Sequence, residues 1–336
     1  MGVEGPAPDL SYTPMPTRSA STRRDFLRWT ASLGASAALA PFVAQPLLAQ
    51  SLRPAELPRP RGLGGREPWG SLEPVGRDVW AMLSTPLADR TTLCNGGLIA
   101  GRDGVLMIEA FGGDAGARWM RERARALTRR EPTQLLLTHY HADHTGGLTA
   151  AREAGAELWS TARTRDDVIS RNQNAPVHLL GDALLVPEGG EHVLDLGGRR
   201  VRMIALEGHT ASDLVAFVED DGVVFAGDLI WFGMFPNFVD ARPSRLTASV
   251  RRLRALNARV YVSGHGVTAN AAGVDAFTDL LDLVERAARD AHARGVSAEA
   301  AGAAFRMPAG MADWTLFNPR YFERAIGAWM REISGS

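Results

Sequence analysis

Short apolar runs separated by turn residues fill the chain between about residue 78 and residue 263. Runs of this length, bounded by glycine, proline or acidic residues, are typical of β-strands. The predicted strands cover 79–85, 96–101, 105–111, 134–138, 157–161, 199–206, 214–220, 223–228 and 259–263. Arg102-Asp103-Gly104 and Asp220-Asp221-Gly222 predict tight turns, the second of which closes a hairpin.

Helical periodicity appears between and after these strands. The run 119–130 predicts a helix that Asp114 is placed to cap, and 246–257 predicts a second helix. From 273 the pattern predicts helix to the end of the chain. The aromatic residues of 311–333 indicate an amphipathic helix, packed either on the body or on a second copy in a homodimer. Helices interleaved with strands predict an α/β protein.

The N-terminal segment has the pattern of a targeting signal. Residues 22–28 are TRRDFLR, and an alanine-rich apolar stretch follows them and ends near Ala49. The pattern resembles a twin-arginine export signal. The stretch is too short and too weakly apolar for a membrane-spanning helix, so no stable span is expected after cleavage. We therefore predict a signal peptide at 1–49, a linker at 50–73, the twin-arginine export machinery as a partner, and a periplasmic or secreted protein.

Composition excludes several classes of function. The formal net charge is −1, which does not favour a nucleic-acid binder. All 37 basic residues are arginine, so no lysine can act as a Schiff base or a substrate clamp. The single cysteine excludes an intramolecular disulfide framework and a cysteine-based zinc finger. We expect the partner of the folded protein to be a small-molecule substrate.

Histidine and aspartate concentrate at or just after the ends of four predicted strands. The seven residues are His139, His141, Asp143, His144, His209, Asp228 and His265. Loops at strand ends are where a rigid sheet can present polar side chains. Neutral imidazole suits zinc or iron, and an aspartate can bridge two cations through its two oxygens. The pattern therefore indicates a metal site.

Four short motifs carry a resemblance to a known family. His-x-His-x-Asp-His at 139–144, Gly208-His209-Thr210, Gly227-Asp228 and Gly264-His265-Gly266 resemble the motifs of the metallo-β-lactamase superfamily, in order and spacing. The resemblance implies a four-layer αβ/βα sandwich over 74–270, with 271–336 as a helical extension packed on it. It also implies two metal ions. The implied ligands are His139, His141 and His209 for the first ion, Asp143, His144 and His265 for the second, and Asp228 between them.

Further residues have roles implied by the resemblance or by their place beside the motifs. Glu109 stands where the family usually has an aspartate that orients a ligand; it is either that orienting group or a carboxylate at the surface. Tyr140 and Thr210 could donate hydrogen bonds to an oxyanion or support the ligands from behind. Trp231 is a candidate for substrate contact. Asp143 is the expected catalytic carboxylate, which orients the nucleophile and moves a proton.

The expected reaction is hydrolysis by a metal-bound hydroxide at a pair of Zn²⁺ ions, acting on a lactam, lactone, thioester or phosphoester. Aspartate at 228, where many lactamases carry cysteine, favours the thioesterase-like and lactonase-like branches. Two alternatives stay open. One is a sulfur dioxygenase of the same superfamily with a single iron. The other is a metal-binding protein of the cell envelope that does not hydrolyse anything.

The segment 231–243, WFGMFPNFVDARP, allows two interpretations. Its tryptophan, phenylalanine and methionine side chains either form the wall of an apolar pocket or pack into the core. Arg242 and Arg245 could attract an anionic substrate or simply be solvated.

Overall fold

The structure is a computed structural model that describes residues 70–84, 94–173 and 175–335. The predicted signal peptide at 1–49 and the predicted linker up to residue 69 lie outside the described residues. Among the helices that are described, none combines the length and the apolar character needed to cross a membrane.

Seven strands form the first sheet, in the order of the chain. They are β1 (Gly70–Gly76), β2 (Val79–Ser84), β3 (Gly96–Ala100), β4 (Val105–Ile108), β5 (Gln134–Leu136), β6 (Glu157–Thr161) and β7 (Leu184–Val186). Neighbours from β1 to β4 are antiparallel, and those from β4 to β7 are parallel. The parallel half requires crossover connections, and the helices between its strands supply them.

Five strands form the second sheet, in the order β12-β11-β10-β9-β8. They are β8 (Glu191–Asp195), β9 (Arg200–Leu206), β10 (Asp213–Val218), β11 (Val223–Phe232) and β12 (Val260–Gly266). Only β11 and β12 are parallel, and the helix between them makes the crossover.

Eight α-helices accompany the sheets within the described residues. They are α1 (Asp114–Thr128), α2 (Ala142–Thr145), α3 (Leu148–Arg152), α4 (Ala162–Arg171), α5 (Pro243–Ala255), α6 (Ala271–Ala293), α7 (Ala298–Ala304) and α8 (Tyr321–Ser334).

Alternating side chains of the central strands build three separate apolar layers. In β4, Leu106 faces a core shared by the two sheets, whereas Met107 faces a core shared with α1 and α3. In β10, Leu214 faces the shared core and Val215 faces a third core, which contains α5, α6 and α8. Because successive side chains of a strand point to opposite faces, strands buried on both faces are apolar throughout. The molecule therefore has four layers in the order helix, sheet, sheet, helix. The predicted α/β class and four-layer sandwich are confirmed.

Three local predictions were wrong. Gly113, not Asp114, is the residue that precedes α1; Asp114 lies in the first turn, and its carboxylate accepts a hydrogen bond from the Ala150 backbone N–H at 3.3 Å. The chain is not helical throughout after 273, because residues 305–320 contain only one short 3₁₀ turn, next to Pro308. Proline lacks the N–H that a helix interior uses. The first sheet also begins at Gly70, so the last residues of the stretch 50–73 form a strand rather than a linker.

Candidate metal centre

The seven predicted residues meet at one edge of the sandwich. Sheet one delivers four of them in the connection that follows β5, where α2 is a single turn carrying Asp143 and His144. Sheet two delivers the rest: His209 follows β9, Asp228 lies within β11 and His265 lies within β12.

An irregularity in β11 aims Asp228 into the site. The pairing of β11 with β12 shifts register on both sides of Gly227, whose φ is 52°. A β-bulge of this kind re-aims a side chain. Two glycines near Asp228, one on β11 and one on β12, leave no space for a side chain. A Cβ on Gly227 would lie 2.8 Å from Thr138 Cβ, and a Cβ on Gly264 would lie 1.9 Å from Asp228 Oδ1.

The first donor set comprises His139, His141, His209 and Asp228, whose ligand atoms all lie within 4.8 Å of one another. His141 Nδ1 is 3.0 Å from Nε2 of His139 and 3.0 Å from Nε2 of His209. Asp228 Oδ2 is 3.2 Å from His209 Nε2. Three ring nitrogens and one carboxylate oxygen converging in this way could hold one metal ion.

The second donor set comprises Asp143, His144 and His265, again within 4.8 Å of one another. Nε2 of His265 is 3.2 Å from Asp143 Oδ2, and Nε2 of His144 is 3.6 Å from the same oxygen. Asp228 contacts this set as well, because its Oδ1 lies 3.2 Å from His144 Nε2. Its Oδ2 also lies 3.5 Å from His265 Nε2, so the Asp228 carboxylate contacts both donor sets.

The donor atoms fit metal ions better than they fit one another. His144 Nε2 and Asp228 Oδ1 are buried and face each other, but no hydrogen bond is formed by either atom within the described part of the chain. A buried polar atom without a partner costs free energy. Coordination of a cation would satisfy both atoms, so the residues present fit bound metal.

The charges of the donor residues also suit a bound cation. Burial lowers the pKa of His139 well below its ordinary value and that of His209 to about 3, so both imidazoles are neutral near pH 7. Burial would raise the pKa of Asp228, but His265, His144 and His209 outweigh it and hold that pKa well below its usual range. Burial would likewise lower the pKa of His265, but Asp228 and Asp143 raise it to about 9. The second donor set thus favours positive charge.

Glu109 lies directly behind two of the histidines. It is 1% exposed, so it is not a surface carboxylate. Its Oε1 is 3.0 Å from His144 Nδ1, and its carboxylate accepts a hydrogen bond from the Thr138 hydroxyl. Thr138 Oγ1 in turn lies 3.0 Å from His139 Nδ1. A carboxylate on the outer nitrogen of a histidine fixes which nitrogen faces the metal.

Asp240 contacts the outer nitrogen of His141, as Glu109 contacts that of His144. Asp240 was not predicted as a site residue from the sequence. Its Oδ2 lies 3.0 Å from His141 Nε2, which leaves Nδ1 to face the donor set. The Tyr140 hydroxyl donates to Asp240, and Arg171 donates to both the hydroxyl and Asp240. Tyr140 therefore supports the site from behind and does not line it. A signal was present, since Asp240 is the sole carboxylate in 231–243.

Thr210 also faces away from the cavity. Its hydroxyl donates to Asp213 Oδ1 at 2.9 Å, and Asp213 Oδ2 accepts from the backbone N–H of His209 at 3.1 Å. Burial raises the pKa of Asp213 to about 7. This contact orders the loop that carries His209, so Thr210 is a structural residue here and not an oxyanion donor.

Asn95 joins the two sheets beside His265, and it too was missed. Its Nδ2 donates to the carbonyl oxygens of Ser263 and Gly266 at 3.0 and 3.1 Å, and its Oδ1 accepts from the Ser84 backbone N–H at 2.8 Å. Nothing in the local sequence pattern distinguishes this asparagine from a turn residue.

A cavity of about 550 Å³ opens onto the metal centre. Trp231 lines it and packs on His265, with ring centroids 4.2 Å apart. The two interpretations of 231–243 are both correct: Phe235 and Phe238 are buried in the core, whereas Met234 and Val239 line the cavity.

Arg242 and Arg245 do not line this cavity. They pair with Glu207 at 2.8 and 3.4 Å and border a separate pocket.

Two curated relatives match part of this chain. A hydroxyacylglutathione hydrolase of Acidiphilium cryptum is 33% identical over 196 residues, which cover 58% of this chain and 72% of that protein. One from Cereibacter sphaeroides is 32% identical over 138 residues, or 40% of this chain and 49% of that protein. The chain thus spans about half the length of the first curated relatives it matches.

Solved structures show the same fold. A metallo-beta-lactamase from Pontibacter korlensis superposes with a TM-score of 0.55 at 18% identity, covering 63% of this chain and 98% of that one. One from Erythrobacter litoralis gives 0.52 at 19% identity, covering 65% and 98%. The model of the metallo-beta-lactamase superfamily matches residues 89–265. That match covers more than half of the 336 residues, and the chain belongs to the metallo-beta-lactamase superfamily.

Proposed function

We propose that this protein is a dinuclear zinc hydrolase that cleaves an ester-like bond, with a thioester as the favoured substrate. The observation that carries the proposal is the position of Asp228. Its Oδ2 lies 3.2 Å from His209 in one donor set, and its Oδ1 lies 3.2 Å from His144 in the other. A carboxylate shared in this way is the arrangement that holds two cations side by side.

The residues divide into three roles. His139, His141 and His209 would hold one ion, and Asp143, His144 and His265 the other, with Asp228 common to both. Zinc ions bound there would supply a water of lowered pKa as nucleophile and polarise the substrate carbonyl. Glu109 and Asp240 would keep His144 and His141 in the tautomers that face the ions.

Asp143 is the residue we propose for proton transfer. Its side chain is 37% exposed, while those of His141 and the other five donors are 17% exposed or less. It can therefore reach both the cavity and His265. As the oxygen of water bonds to the acyl carbon and the acyl–sulfur bond breaks, the Asp143 carboxylate would accept the proton of the water. The same proton would then pass to the leaving thiolate.

The thioester preference is supported by the relatives. Those described above are hydroxyacylglutathione hydrolases, which act on a thioester. Aspartate at 228 agrees with this branch. A lactone remains the second choice of substrate, because it presents the same carbonyl with oxygen in place of sulfur.

The second donor set argues against the first alternative, and the cavity argues against the second. Sulfur dioxygenases of the superfamily retain the histidine motif but bind a single iron through two histidines and an aspartate, so the convergence of Asp143, His144 and His265 favours a second ion. A metal-binding protein without hydrolytic activity would not require a 550 Å³ cavity that reaches the donor atoms.

Two measurements on the full-length protein test the proposal. Elemental mass spectrometry should find close to two zinc ions per chain, and hydrolysis of an acyl thioester should be followed by release of the thiol. Asp143→Asn should lower kcat by at least about 100-fold, whereas the same change at the exposed Asp220 should not alter it. One iron per chain, with oxygen consumption in the presence of a persulfide, would replace the hydrolase with the dioxygenase.

A further inference from the structure

The wall of the cavity is built from two distant parts of the chain. Trp231, Met234 and Val239 come from the segment that ends β11 and continues beyond it. Phe317 and Tyr321 come from the C-terminal region, where Tyr321 is the first residue of α8. All five side chains offer aromatic or aliphatic surface, and Asn237 is the polar neighbour among them.

Backbone pairing holds the two parts together. The Thr315 N–H donates to the Gly233 carbonyl at 2.9 Å, and the Phe235 N–H donates to the Thr315 carbonyl at 3.0 Å. The ring of Trp314 packs edge-on against Phe232, with centroids 5.2 Å apart. The chain therefore places Phe317 beside the metal centre before any substrate binds.

The arginine side chains near the cavity are engaged by other residues. Among residues 70–84, 94–173 and 175–335, no arginine lines it. Arg171 pairs with Asp240 at 3.3 Å. Arg324 lies over the ring of Tyr321, 5.6 Å from its centroid, and donates to Asn237 Oδ1 at 3.4 Å. Arg324 thus contacts two residues of the wall, Tyr321 and Asn237, and does not itself line the cavity.

We infer that the group flanking the scissile bond is uncharged and apolar, and that Phe317 and Tyr321 select it. An anionic group placed against the apolar wall, away from the donor sets, would lose its hydration without gaining a cationic partner from that wall. An aromatic or aliphatic group would instead exchange water for apolar contact. The selectivity therefore differs from that of the relatives, whose substrate carries the anionic glutathione. The inference takes its scissile bond from the proposed hydrolase function.

Binding of two thioethers that cannot be hydrolysed tests this selectivity apart from catalysis. S-benzyl-N-acetylcysteamine is neutral, and S-benzylglutathione has the same benzyl group on an anionic thiol. Calorimetric titration of the zinc-loaded full-length protein should show the neutral compound binding at least about tenfold more tightly. Equal binding, or tighter binding of the glutathione compound, would overturn the inference.

Substitutions in the cavity wall test whether Phe317 and Tyr321 cause the selectivity. Phe317→Ala and Tyr321→Ala should each weaken binding of the neutral thioether by about tenfold with zinc content unchanged. Leu316→Ala is the matched control, because Leu316 adjoins Phe317 but is 37% exposed and does not line the cavity. If S-benzylglutathione binds more tightly and Arg324→Gln abolishes that advantage, Arg324 is an anion receptor and the inference is wrong.

Kinetics with the matching thioesters distinguishes the proposed hydrolase function from the proposed selectivity. Phenylacetyl-N-acetylcysteamine and phenylacetylglutathione share one acyl group. Tight binding of the neutral thioether without hydrolysis of either thioester would support the selectivity and refute the hydrolase. Hydrolysis of both with equal kcat/KM, and equal binding of the thioethers, would support the hydrolase and refute the selectivity.

Discussion

Glu109 Oε1 lies 3.0 Å from His144 Nδ1, with both side chains almost fully buried. The backbone of Glu109 has a φ of 75°, in the left-handed region that residues other than glycine rarely adopt. The glutamate thus reaches a metal-site histidine from a backbone position where the family usually has the shorter aspartate. A strained backbone at such a place is typical of a residue that its contacts hold firmly.

We expect Glu109→Gln to weaken zinc binding by about 10–100-fold, because an amide cannot replace the carboxylate on both His144 and Thr138. Competition with a chromophoric chelator measures the affinity. Glu299→Gln, at an exposed position on α7, is the control and should leave the affinity unchanged. Equal affinities of the two variants would mean that Glu109 does not orient His144.

Gly264→Ala should disrupt the site. The added Cβ would lie 1.9 Å from Asp228 Oδ1, 2.7 Å from the Gly227 carbonyl carbon and 2.8 Å from the Asp228 backbone nitrogen, so it must displace this part of β11 together with the carboxylate. We expect fewer than two zinc ions per chain and at least about a tenfold loss of thioesterase kcat. Gly181→Ala is the matched change, since a Cβ there meets nothing within 4 Å. Full zinc occupancy of Gly264→Ala would show that Asp228 need not sit between the donor sets.

Removal of metal should lower thermal stability. The two donor sets bring two carboxylates and five imidazoles together, and a ligand that binds only the folded state stabilises it by mass action. Dialysis against a chelator should reduce Tm by several degrees, and added zinc should restore it. His265→Ala should show a smaller shift, because one donor set is already incomplete. An identical Tm with and without chelator would contradict metal binding in the folded protein.

We propose that the twin-arginine pair directs export. The double variant Arg23→Lys, Arg24→Lys should leave the protein in the cytoplasm of a host with this pathway, as measured by cell fractionation and immunoblotting. Arg28→Lys is the control, because the final basic place of the pattern accepts lysine. Export of the double variant at the original level would remove the argument for this route.

The residues of the donor sets could be predicted from the sequence because they lie in short motifs that resemble those of the family. His139, His141, Asp143 and His144 lie within six positions, and the other three lie in short glycine-containing motifs. The strands that carry them have continuous apolar patterns, since both faces of each sheet are covered. These features give the fold and the donor sets without knowledge of any long-range contact.

The supporting residues could not be predicted in this way. Asp240 meets His141 across 99 positions of the chain, and Asn95 meets Ser263 across 168. Phe317 reaches the cavity only because the segment after Pro308 leaves the predicted helix and pairs with Gly233. Contacts of this kind depend on how layers pack, and a single sequence carries no periodic signal for them.

Asn95→Ala should destabilise the junction of the two sheets. The change leaves the carbonyls of Ser263 and Gly266 and the N–H of Ser84 without their side-chain partner. Unsatisfied buried groups cost about 1–3 kcal/mol each, so the free energy of unfolding should fall by at least that amount. Urea denaturation with an unchanged m-value measures it. Asn318→Ala removes a single exposed contact to the Arg320 backbone and should cost under about 1 kcal/mol, since water can replace it. A loss no larger for Asn95→Ala than for Asn318→Ala would show that the sheets, and with them His265, are held in register by other contacts.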